Sequence, residues 1–372
     1  MFLNSKRLIV LAAMACEFGC NGVSWPSERH IDSLRVLGVK SEPASLRPGQ
    51  SGHVSLVCAN GNTGNAADPT CDFDKIDVAW FADCNNPVNN DPTKCLNHYG
   101  AWVNQFASPL ANTPESTLVG QFKVAPEFDF LAPAGVLPGE ITISGQTVHY
   151  VVSYIFFAAC DGNLYPRSGV SDQLPVECHD RDTGAILDQR RFVVGVTTVY
   201  SYDTVVNHNP ELSDPRLDYP SISYDPSVLS QPCSVDGDCG RTDFGCPNAA
   251  GSTATSATCA PIVAPCTAGN NASCGGHCID FQVTPESFKM TTIGGAPISN
   301  PVKSLWAEYY TNAGKLPDDA RFGLPFPGDQ TERSSCIPWQ APTYATEQAR
   351  VWIVVRDDRG GLASLEQRIL VR

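Results

Sequence analysis

The residues of this chain that could bind a metal are concentrated in one short, cysteine-rich stretch. Its last segment, CGGHC, places Cys274, His277 and Cys278 close together, and thiolates and imidazoles are ligands that structural zinc prefers. A structural zinc site needs four such ligands, however, and a secreted chain usually oxidises its thiols before they bind a metal. The stretch therefore favours disulfide bonds over zinc, and the sequence predicts no cofactor.

Aspartates in the same stretch suggest a second kind of metal site. In SVDGDCGRTD, Asp236, Asp238 and Asp243 resemble a calcium loop, in which carboxylates at alternate positions surround the cation. A complete loop would end in a bidentate glutamate, which is missing here. Solvated turn aspartates are therefore the stronger interpretation and a calcium site the weaker one. The segment CDFDKID is a weaker instance of the same pattern, with Asp72, Asp74 and Asp77.

The sequence contains no known catalytic signature. It has no Gly-x-Ser-x-Gly nucleophile elbow, no His-Glu-x-x-His pair and no phosphate-binding glycine loop, and its seven histidines are scattered. A triad or a carboxylate pair that only the fold brings together stays open as an alternative. The sequence otherwise predicts a protein that is not an enzyme.

The cysteines instead predict a disulfide framework. Sixteen cysteines behind an export signal indicate an oxidising compartment. When Cys16 and Cys20 of the N-terminal segment are set aside, six cysteines lie in the first half and eight in the second, so each half can close its own bridges. These fourteen are Cys58, Cys71, Cys84, Cys95, Cys160, Cys178, Cys233, Cys239, Cys246, Cys259, Cys266, Cys274, Cys278 and Cys336.

Two pairings of the first six cysteines stay open, since connectivity does not follow from sequence alone. We expect neighbours in the sequence to pair, because the first cysteine of each pair ends a strand that leads into a long loop. A bridge from Cys58 to Cys160 across Trp80 would instead match the inter-sheet disulfide of immunoglobulin domains. Cys20 has no partner in this count and could form an intermolecular bridge. The expected neighbour pairs are Cys58–Cys71, Cys84–Cys95 and Cys160–Cys178.

An aromatic segment, NHYGAWVNQF, follows Cys95 in a long polar insert. It carries Tyr99, Trp102 and Phe106 among asparagine and glutamine, a composition typical of loops that bind a protein or a sugar. The same aromatic residues would equally serve as the small core of the loop itself. Both interpretations stay open from the sequence.

The N-terminal segment, KRLIVLAAMACEFGC, predicts export. Lys6 and Arg7 precede an apolar run far shorter than the ~20 residues of a membrane-spanning helix. The small residues Ala13 and Ala15 suit cleavage before Cys16 by ordinary signal peptidase. The segment AAMAC is also similar to a bacterial lipobox, whose cysteine becomes the lipidated first residue. We expect Cys16 to carry lipid, and secretion of an unlipidated chain is the alternative.

Strand signals dominate the rest of the chain. β-Branched and aromatic runs alternate with turns rich in Pro, Gly, Asn and Asp, and no long segment keeps a helical apolar period. VAWFADC and SLWAEYY, with Trp80 and Trp306 at their centres, are weak echoes of one another, and ARVWIVVRDDRGGLASLEQRILVR predicts a closing hairpin. These patterns predict an all-β fold with two immunoglobulin-like antiparallel β-sandwich domains and a small disulfide-rich insert. The expected ranges are a signal peptide (1–15), a flexible tether (16–30), a first sandwich (31–202), a connector (203–232), the insert (233–278) and a second sandwich (279–372).

The charge balance argues against two classes of partner. The formal net charge is −14, so the chain lacks the basic excess with which proteins neutralise nucleic-acid phosphates or dock on anionic lipid. Contact with a membrane would therefore come through the lipid on Cys16. The longest apolar run, VHYVVSYIFFAA, is too short to span a bilayer and predicts a buried strand.

Two segments carry a family resemblance. DSLRVLGVKSEPASLRPGQ and WQAPTYATEQARVWIVVRDDRGG resemble surface lipoproteins of myxobacteria and related predatory or soil bacteria. Proteins of that group carry immunoglobulin-like or PKD-like β-domains, and most have no assigned activity. The resemblance covers the first third and the last quarter of the chain and implies the fold and the lipidated start. It carries no catalytic residue across and does not account for the cysteine-rich stretch.

These observations predict a non-enzymatic protein of the cell envelope that binds or scaffolds through loops held by disulfides. Its partners would be the membrane, through the lipid anchor, and a protein or polysaccharide of the envelope, but not nucleic acid. The expected location is the bacterial outer membrane or cell surface, with the periplasm or secretion as alternatives. Two other functions stay open: an accessory domain of an envelope enzyme or secretion complex, and a secreted, calcium-stabilised, cysteine-rich binding protein.

Overall fold

The structure, a computed structural model, confirms the predicted all-β fold. Its described residues form two packed β-sandwiches and one short α-helix, α1 (Leu96–Val103). Those residues are 29–62, 71–86, 91–103, 122–135, 137–167, 173–218, 231–234, 236–241, 243–247, 257–267, 274, 276–298, 303–317, 319–324, 332–333 and 336–372.

The first sandwich consists of two sheets that face one another. One sheet has the strand order β1–β3–β6, and the other has the order β2–β11–β8–β4–β5, with β7 beside β8. A separate hairpin, β9–β10, covers the outer face of the larger sheet. The strands are β1 (Leu34–Glu42), β2 (Ser45–Leu46), β3 (Ser51–Asn60), β4 (Asp77–Asn85), β5 (Phe122–Val124), β6 (Glu127–Leu131), β7 (Gly139–Ile143), β8 (Gln146–Cys160), β9 (Asn163–Pro166), β10 (Val176–His179) and β11 (Phe192–Tyr202).

Strand β8 lies in the middle of the larger sheet and is buried on both faces. Ile155 and Phe157 pack into the core between the two sheets, whereas Phe156 and Ala158 pack beneath α1 and the β9–β10 hairpin. A strand that is covered on both sides has no polar face, so its sequence does not alternate. This explains why the longest apolar run of the chain is a buried strand, as the sequence predicts.

Helix α1 differs from the sequence expectation, which places a loop here. A short 3-10 turn, Pro92–Cys95, precedes the helix and is capped by the side chain of Asp91. Tyr99 then packs against Phe81 and Phe156, with ring centroids 5.2 and 5.6 Å apart. A helix this short is marginal by itself, so its packing against the sheet stabilises it. Its apolar residues do not repeat over enough turns for the sequence to predict a helix.

The second sandwich also has two facing sheets. One has the order β13–β18–β22, with β23 beside β18, and the other has the order β15–β17–β25–β24–β20–β21. Two further pairs, β12–β19 and β14–β16, form separate two-stranded sheets. The strands are β12 (Val205–Val206), β13 (Leu212–Asp218), β14 (Pro232–Cys233), β15 (Phe244–Gly245), β16 (Ala257–Thr258), β17 (Ala260–Val263), β18 (His277–Val283), β19 (Thr291–Thr292), β20 (Leu305–Thr311), β21 (Arg321–Leu324), β22 (Glu332–Arg333), β23 (Ile337–Trp339), β24 (Thr346–Asp357) and β25 (Leu362–Val371). The predicted closing hairpin is present as β24–β25.

The expected connector and insert are more closely built into this sandwich than the sequence suggests. Residues 203–232 include β13, which pairs along β18 and belongs to a core sheet. The cysteine-rich range 233–278 includes β17, which pairs in parallel with β25 through Ile262 and Val263. Because pairing uses main-chain groups, a polar or disulfide-rich sequence can supply a strand without showing a strand pattern.

The two tryptophans that echo one another in the sequence occupy different environments. Trp80 is fully buried in the first core, whereas Trp306 is partly exposed beneath the guanidinium of Arg321. In the second sandwich, the fully buried tryptophan is Trp339, whose indole N–H donates to the carbonyl of Ala313 at 2.9 Å. The similarity of the two sequence segments therefore does not extend to the packing of Trp80 and Trp306.

The two sandwiches meet through an apolar interface. The outer face of β1 packs on the outer face of the β24–β25 hairpin. Beside it, the Ile31 N–H donates to the carbonyl of Thr311 at 2.7 Å, and the Thr311 N–H donates to the carbonyl of Arg29 at 2.9 Å. The buried residues of this interface are Ile31, Leu37, Ala59, Trp352, Val354 and Leu362.

A buried ion pair lies at the same junction. Lys303 Nζ is 3.1 Å from Asp357 Oδ2, and both side chains are fully buried. The ammonium also donates to the carbonyl of His208 at 2.9 Å, and Asn207 Nδ2 donates to Asp357 Oδ2 at 3.1 Å. The main-chain N–H of Asn207 donates to Ser45 Oγ at 2.7 Å, which connects this network to the first sandwich.

Candidate functional site

The structure joins the fourteen cysteines in seven disulfides and confirms neighbour pairing in the first sandwich. No bridge crosses Trp80 between Cys58 and Cys160, so the immunoglobulin-type alternative is wrong. The second half closes its own bridges, as the even count predicts. The pairs are Cys58–Cys71, Cys84–Cys95, Cys160–Cys178, Cys233–Cys246, Cys239–Cys259, Cys266–Cys274 and Cys278–Cys336.

This pairing leaves no thiolate for the zinc site considered from CGGHC. Cys274 and Cys278 each belong to a disulfide with another cysteine. His277, between them, is buried against Trp339, with ring centroids 5.9 Å apart, and burial lowers the pKa of its imidazole. The segment is therefore part of the core of the second sandwich.

Three other sulfurs converge in the small module around Phe244. The sulfurs of Cys233, Cys239 and Cys259 lie within 4.8 Å of one another. All three are disulfide-bonded, and together with Phe244 they form its buried centre. Sulfur takes the place here of the aliphatic side chains that this stretch lacks.

The aspartates considered for calcium bind neighbouring protein groups instead. Asp238 accepts hydrogen bonds from the N–H and hydroxyl of Ser234, at 2.6 and 2.9 Å. Asp243 binds the guanidinium of Arg241, which lowers the pKa of this carboxyl. The side chain of Asp236 lies outside the described residues. Among the described residues, these carboxylates therefore do not form a cluster with the spacing of metal ligands.

The weaker acidic cluster is likewise used locally. Asp72 pairs with Lys75 at 2.9 Å, and this hydrogen bond lowers the pKa of the Asp72 carboxyl. Asp77 is buried, accepts from the Leu164 N–H at 3.0 Å and pairs with Arg181 at 2.9 Å. Both carboxylates fix loops of the first sandwich.

The aromatic segment after Cys95 contributes Tyr99 to the core of the first sandwich. Tyr99 lies on α1, is 1 % exposed and packs against the larger sheet, so it does not belong to an exposed binding loop. The side chain of Trp102 and the whole of Phe106 lie outside the described residues. Tyr99 is therefore a core residue of the first sandwich, which neither interpretation of the segment predicts.

The described histidines do not form a catalytic triad. His149 Nδ1 lies 2.8 Å from Asp203, but no hydroxyl or thiol nucleophile binds its other ring nitrogen among the described residues. His208 Nε2 lies 2.9 Å from Thr291 Oγ1, but none of the described carboxylates forms a hydrogen bond with the other ring nitrogen of His208. A nucleophile, a base and an orienting acid are thus not brought together there.

The outer edge of β11 is the most distinctive surface of the described structure. β11 pairs with β8 along its whole length. On its other side, within the residues that the structure describes, it pairs only at Tyr200 and Ser201, with the two-residue strand β2. The segment 192–199 therefore has no hydrogen-bonded strand on this side among the described residues, although β1 of the facing sheet lies close to it, with Val39 beside Val196.

Alternate main-chain groups of β11 point to this open edge. Just before β11, the carbonyl of Arg191 accepts from the Asp161 N–H on the β8 side at 2.9 Å. The carbonyl of Arg190 accepts from the Leu34 N–H on the open side, also at 2.9 Å. Because this direction alternates along a strand, the even-numbered residues of 192–196 point their N–H and C=O groups away from the sheet.

Two elements limit the length of the open edge. Leu34 closes its beginning through Arg190, and the tip of the β24–β25 hairpin closes its end, where Gly360 approaches the carbonyl of Thr198. Gly360 has a φ of +86°, and a Cβ there would lie 2.8 Å from that oxygen, so the approach requires glycine. The open segment between these walls, 192–197, is about 20 Å of extended chain.

The side chains of the open segment alternate between the core and solvent. Val193 packs against the first core, whereas Val194 and Val196 are 54 % and 43 % exposed on the outer face. Gly195 lies between them because the ring of Phe157 crosses this position, where a Cβ would be 2.4 Å from Phe157 Cζ. The segment has no charged residue and no proline, which are two of the devices with which natural edge strands resist pairing.

β6, one of the two edge strands of the opposite sheet, is protected in the usual way. β6 has the sequence EFDFL, and its carboxylates, Glu127 and Asp129, are exposed. They lie 3.4 and 2.9 Å from the ring nitrogens of His53 on β3. The contrast between β6 and β11 within one sandwich indicates that the bare edge of β11 is not a general property of this fold.

An apolar groove of about 360 Å³ lies beneath the exposed valines. Two disulfides, Cys84–Cys95 and Cys160–Cys178, hold α1 and the β9–β10 hairpin against the sheet and so fix the groove walls. Apart from β11 itself, the apolar lining residues are Leu96, Phe156, Leu174 and Val176.

Arg167 is the one charged residue among those that line the groove. Its side chain is exposed, and Nη1 donates to Gln173 Oε1 at 3.3 Å. It forms no ion pair with a carboxylate anywhere in the described part of the chain. The groove therefore combines an apolar floor with one unneutralised cation.

A second cavity of about 300 Å³ adjoins the other end of the open edge, between the two sandwiches. Tyr200 and Trp306 supply aromatic surface there, and Arg356 and Asp358 supply charge. Burial raises the pKa of the Asp358 carboxyl. Val196 borders both cavities, so they lie next to one another at this residue.

No motif in the sequence marks this surface as a site. The run FVVGVTTV has the composition of a strand, but which edge of a strand lies open depends on distant segments. Its only local signal is the absence of charge and proline over the whole run. That signal alone also fits a strand in the middle of a sheet.

No protein-family model matches the chain, and none of the curated proteins is significantly similar to it. The described part contains no helix that is long and apolar enough to cross a membrane. The expected signal peptide, Cys16 and Cys20 lie outside the described residues. The many disulfides are consistent with an extracellular or envelope location.

Proposed function

We propose that this chain is an exported binding protein of a bacterial envelope, held there by lipid on Cys16, and that it is not an enzyme. The observation that carries the proposal is the uncovered apolar surface around Val194 and Val196, on a scaffold whose described cysteines are all bridged. Soluble proteins seldom expose a contiguous apolar surface of this kind unless it binds a partner.

The rigidity of the scaffold supports a binding role. The groove walls are held by disulfides, and the sandwich junction is fixed by the Lys303–Asp357 pair and its apolar surroundings. A surface that is already ordered loses little conformational entropy when a partner binds. The mainly apolar lining of the groove favours a protein partner over a polysaccharide, which would need several hydrogen-bonding groups.

The envelope location is tested by the mass and partitioning of the mature protein. We expect the chain purified from bacterial membranes to begin at Cys16, with a diacylglyceryl and an acyl group on that residue. The variant Cys16→Ala should move from the detergent phase to the aqueous phase of Triton X-114, whereas Cys20→Ala should stay with the detergent. An unmodified Cys16 in the mature protein would contradict the anchoring.

The binding role is tested by photo-cross-linking in intact cells. A benzoylphenylalanine at Val194 should give a discrete adduct with a second protein. The matched control is Leu131 on β6, which is 53 % exposed against 54 % for Val194 but lies on the opposite sheet. No adduct at Val194, or equal adducts at both positions, would contradict a binding surface on β11.

A further inference from the structure

We propose that the partner binds as an extended peptide segment that adds a strand to the open edge of β11. This inference rests on the proposed binding function and names the chemistry of the partner. The added strand would lie between the walls formed by Leu34 and Gly360 and would direct an acidic group to Arg167.

The main chain of β11 provides the affinity in this arrangement. The even-numbered residues of 192–196 present N–H and C=O groups that no described strand uses. An extended peptide beside them would complete the ladder and continue the sheet, which is the way in which exposed edges commonly bind peptides. The length of the open segment allows six residues to pair.

The side chains around the edge provide the selectivity. Alternate residues of an added strand project on the same face as Val194 and Val196, over the apolar groove, so apolar or β-branched side chains are favoured there. Arg167 lacks a carboxylate partner among the described residues and complements an acidic side chain or a terminal carboxylate. The peptide therefore combines alternating apolar residues with one acidic group.

A second copy of this chain fits the edge less well than such a peptide. The run FVVGVTTV contains no carboxylate to pair with Arg167 of another molecule. The formal charge of −14 on each chain opposes self-association. Each edge is also closed at both ends, so the walls of two copies would meet before six residues paired.

Proline at position 196 is the variant that separates strand addition from other modes of binding. The N–H of Val196 points away from β8, so Val196→Pro removes no hydrogen bond of the existing sheet, and edge strands tolerate proline in this orientation. The matched control is Leu131→Pro on β6. There the neighbouring Ala132 N–H donates to the carbonyl of Gln50, so the Leu131 N–H points outward as well. Val196→Lys offers a second block of the edge that leaves the backbone unchanged.

The experiment selects decapeptides from a random phage-displayed library on the full mature protein and measures their affinities by isothermal titration. We expect enriched peptides with alternating apolar residues and an acidic group. Val196→Pro and Val196→Lys should weaken their binding at least tenfold, whereas Leu131→Pro should leave it unchanged. Arg167→Gln should weaken acidic peptides severalfold and leave their amide analogues unaffected. Amide hydrogens of residues 192–196 that face the open side should exchange more slowly when peptide is bound.

Three outcomes would overturn the inference. They are a selection that enriches no peptide, enriched peptides whose affinity is unchanged by both variants at position 196, and concentration-dependent dimerisation in sedimentation that Val196→Pro abolishes. The last result would make a second copy the occupant. If the photo-cross-link at Val194 persists in Val196→Pro, the binding function stands and strand addition alone fails.

Discussion

The buried pair of Lys303 and Asp357 gives the sharpest test of what holds the two sandwiches together. Both side chains are fully buried, so removing one partner leaves the other as a buried charge. Breaking such a pair typically costs about 3–5 kcal/mol. The structure indicates where in that range each single variant lies, because the two partners differ in the hydrogen bonds that remain.

Lys303→Met leaves the Asp357 carboxylate with several donors. The N–H groups of Arg359 and Gly361 lie 2.8 and 2.7 Å from Oδ1, and Asn207 Nδ2 lies 3.1 Å from Oδ2. We therefore expect a loss near the lower end, about 3 kcal/mol. Asp357→Asn removes the negative charge that pairs with the ammonium of Lys303, whose other described acceptor is the neutral carbonyl of His208, so the loss should approach about 5 kcal/mol.

The measurement is equilibrium urea unfolding of the oxidised protein, followed by tryptophan fluorescence. The double variant Lys303→Met/Asp357→Asn buries no charge, so it should cost at least about 1–2 kcal/mol less than the sum of the two single variants. Lys75→Met, which removes an exposed ion pair with Asp72, is the control and should leave the midpoint unchanged. Additivity of the two single variants within about 0.5 kcal/mol would refute the reasoning.

Three further predictions concern the core, the metal question and pH. Tyr99→Ala should lower the free energy of unfolding by about 3–5 kcal/mol in the same urea assay, whereas Tyr344→Ala, at a 59 % exposed position, should change it little. EDTA should leave the melting temperature unchanged, because Asp238 and Asp243 already bind protein groups; a fall on chelation would restore the calcium interpretation. Burial lowers the pKa of His277 below its ordinary 6.5, so its imidazole binds a proton in the unfolded chain before it does in the folded one. Stability should therefore be full above pH 6.5 and fall as the pH drops towards the folded pKa, and His277→Phe should flatten that dependence in pH-dependent melting curves.

The sequence predicts those features of the fold that are encoded locally. The run before Cys160 is apolar on both faces and forms β8, and the β24–β25 hairpin has its turn at the glycines that permit it. Three disulfides of the first sandwich follow because each closes a loop of only 11 to 18 residues. In all these cases the partners of a contact lie close together along the chain.

The features that escape prediction depend on distant segments. The partner of β13 lies across the cysteine-rich stretch, and β17 pairs with the last strand of the chain, so neither strand needs an apolar pattern of its own. Trp306 lies on the face of β20 that does not enter the core, and Trp339 is the fully buried tryptophan instead. Because β20 has apolar residues on both faces, its sequence does not determine which face the core covers. The edge of β11 is open because no described strand pairs with residues 192–199 on the side away from β8, and the sequence of β11 does not determine where the other strands lie.

The bare edge of β11 would be an aggregation hazard if it were longer. Its walls, Leu34 and Gly360, restrict pairing to six residues, and the acidic surface of the chain repels other copies. Neither device blocks a single extended segment that carries its own apolar residues and an acidic group for Arg167. The protection of this edge is thus steric and long-range rather than local, and such protection excludes a second sandwich while it admits a peptide. If this edge were protected against every added strand, we would expect a lysine or a proline within residues 192–197.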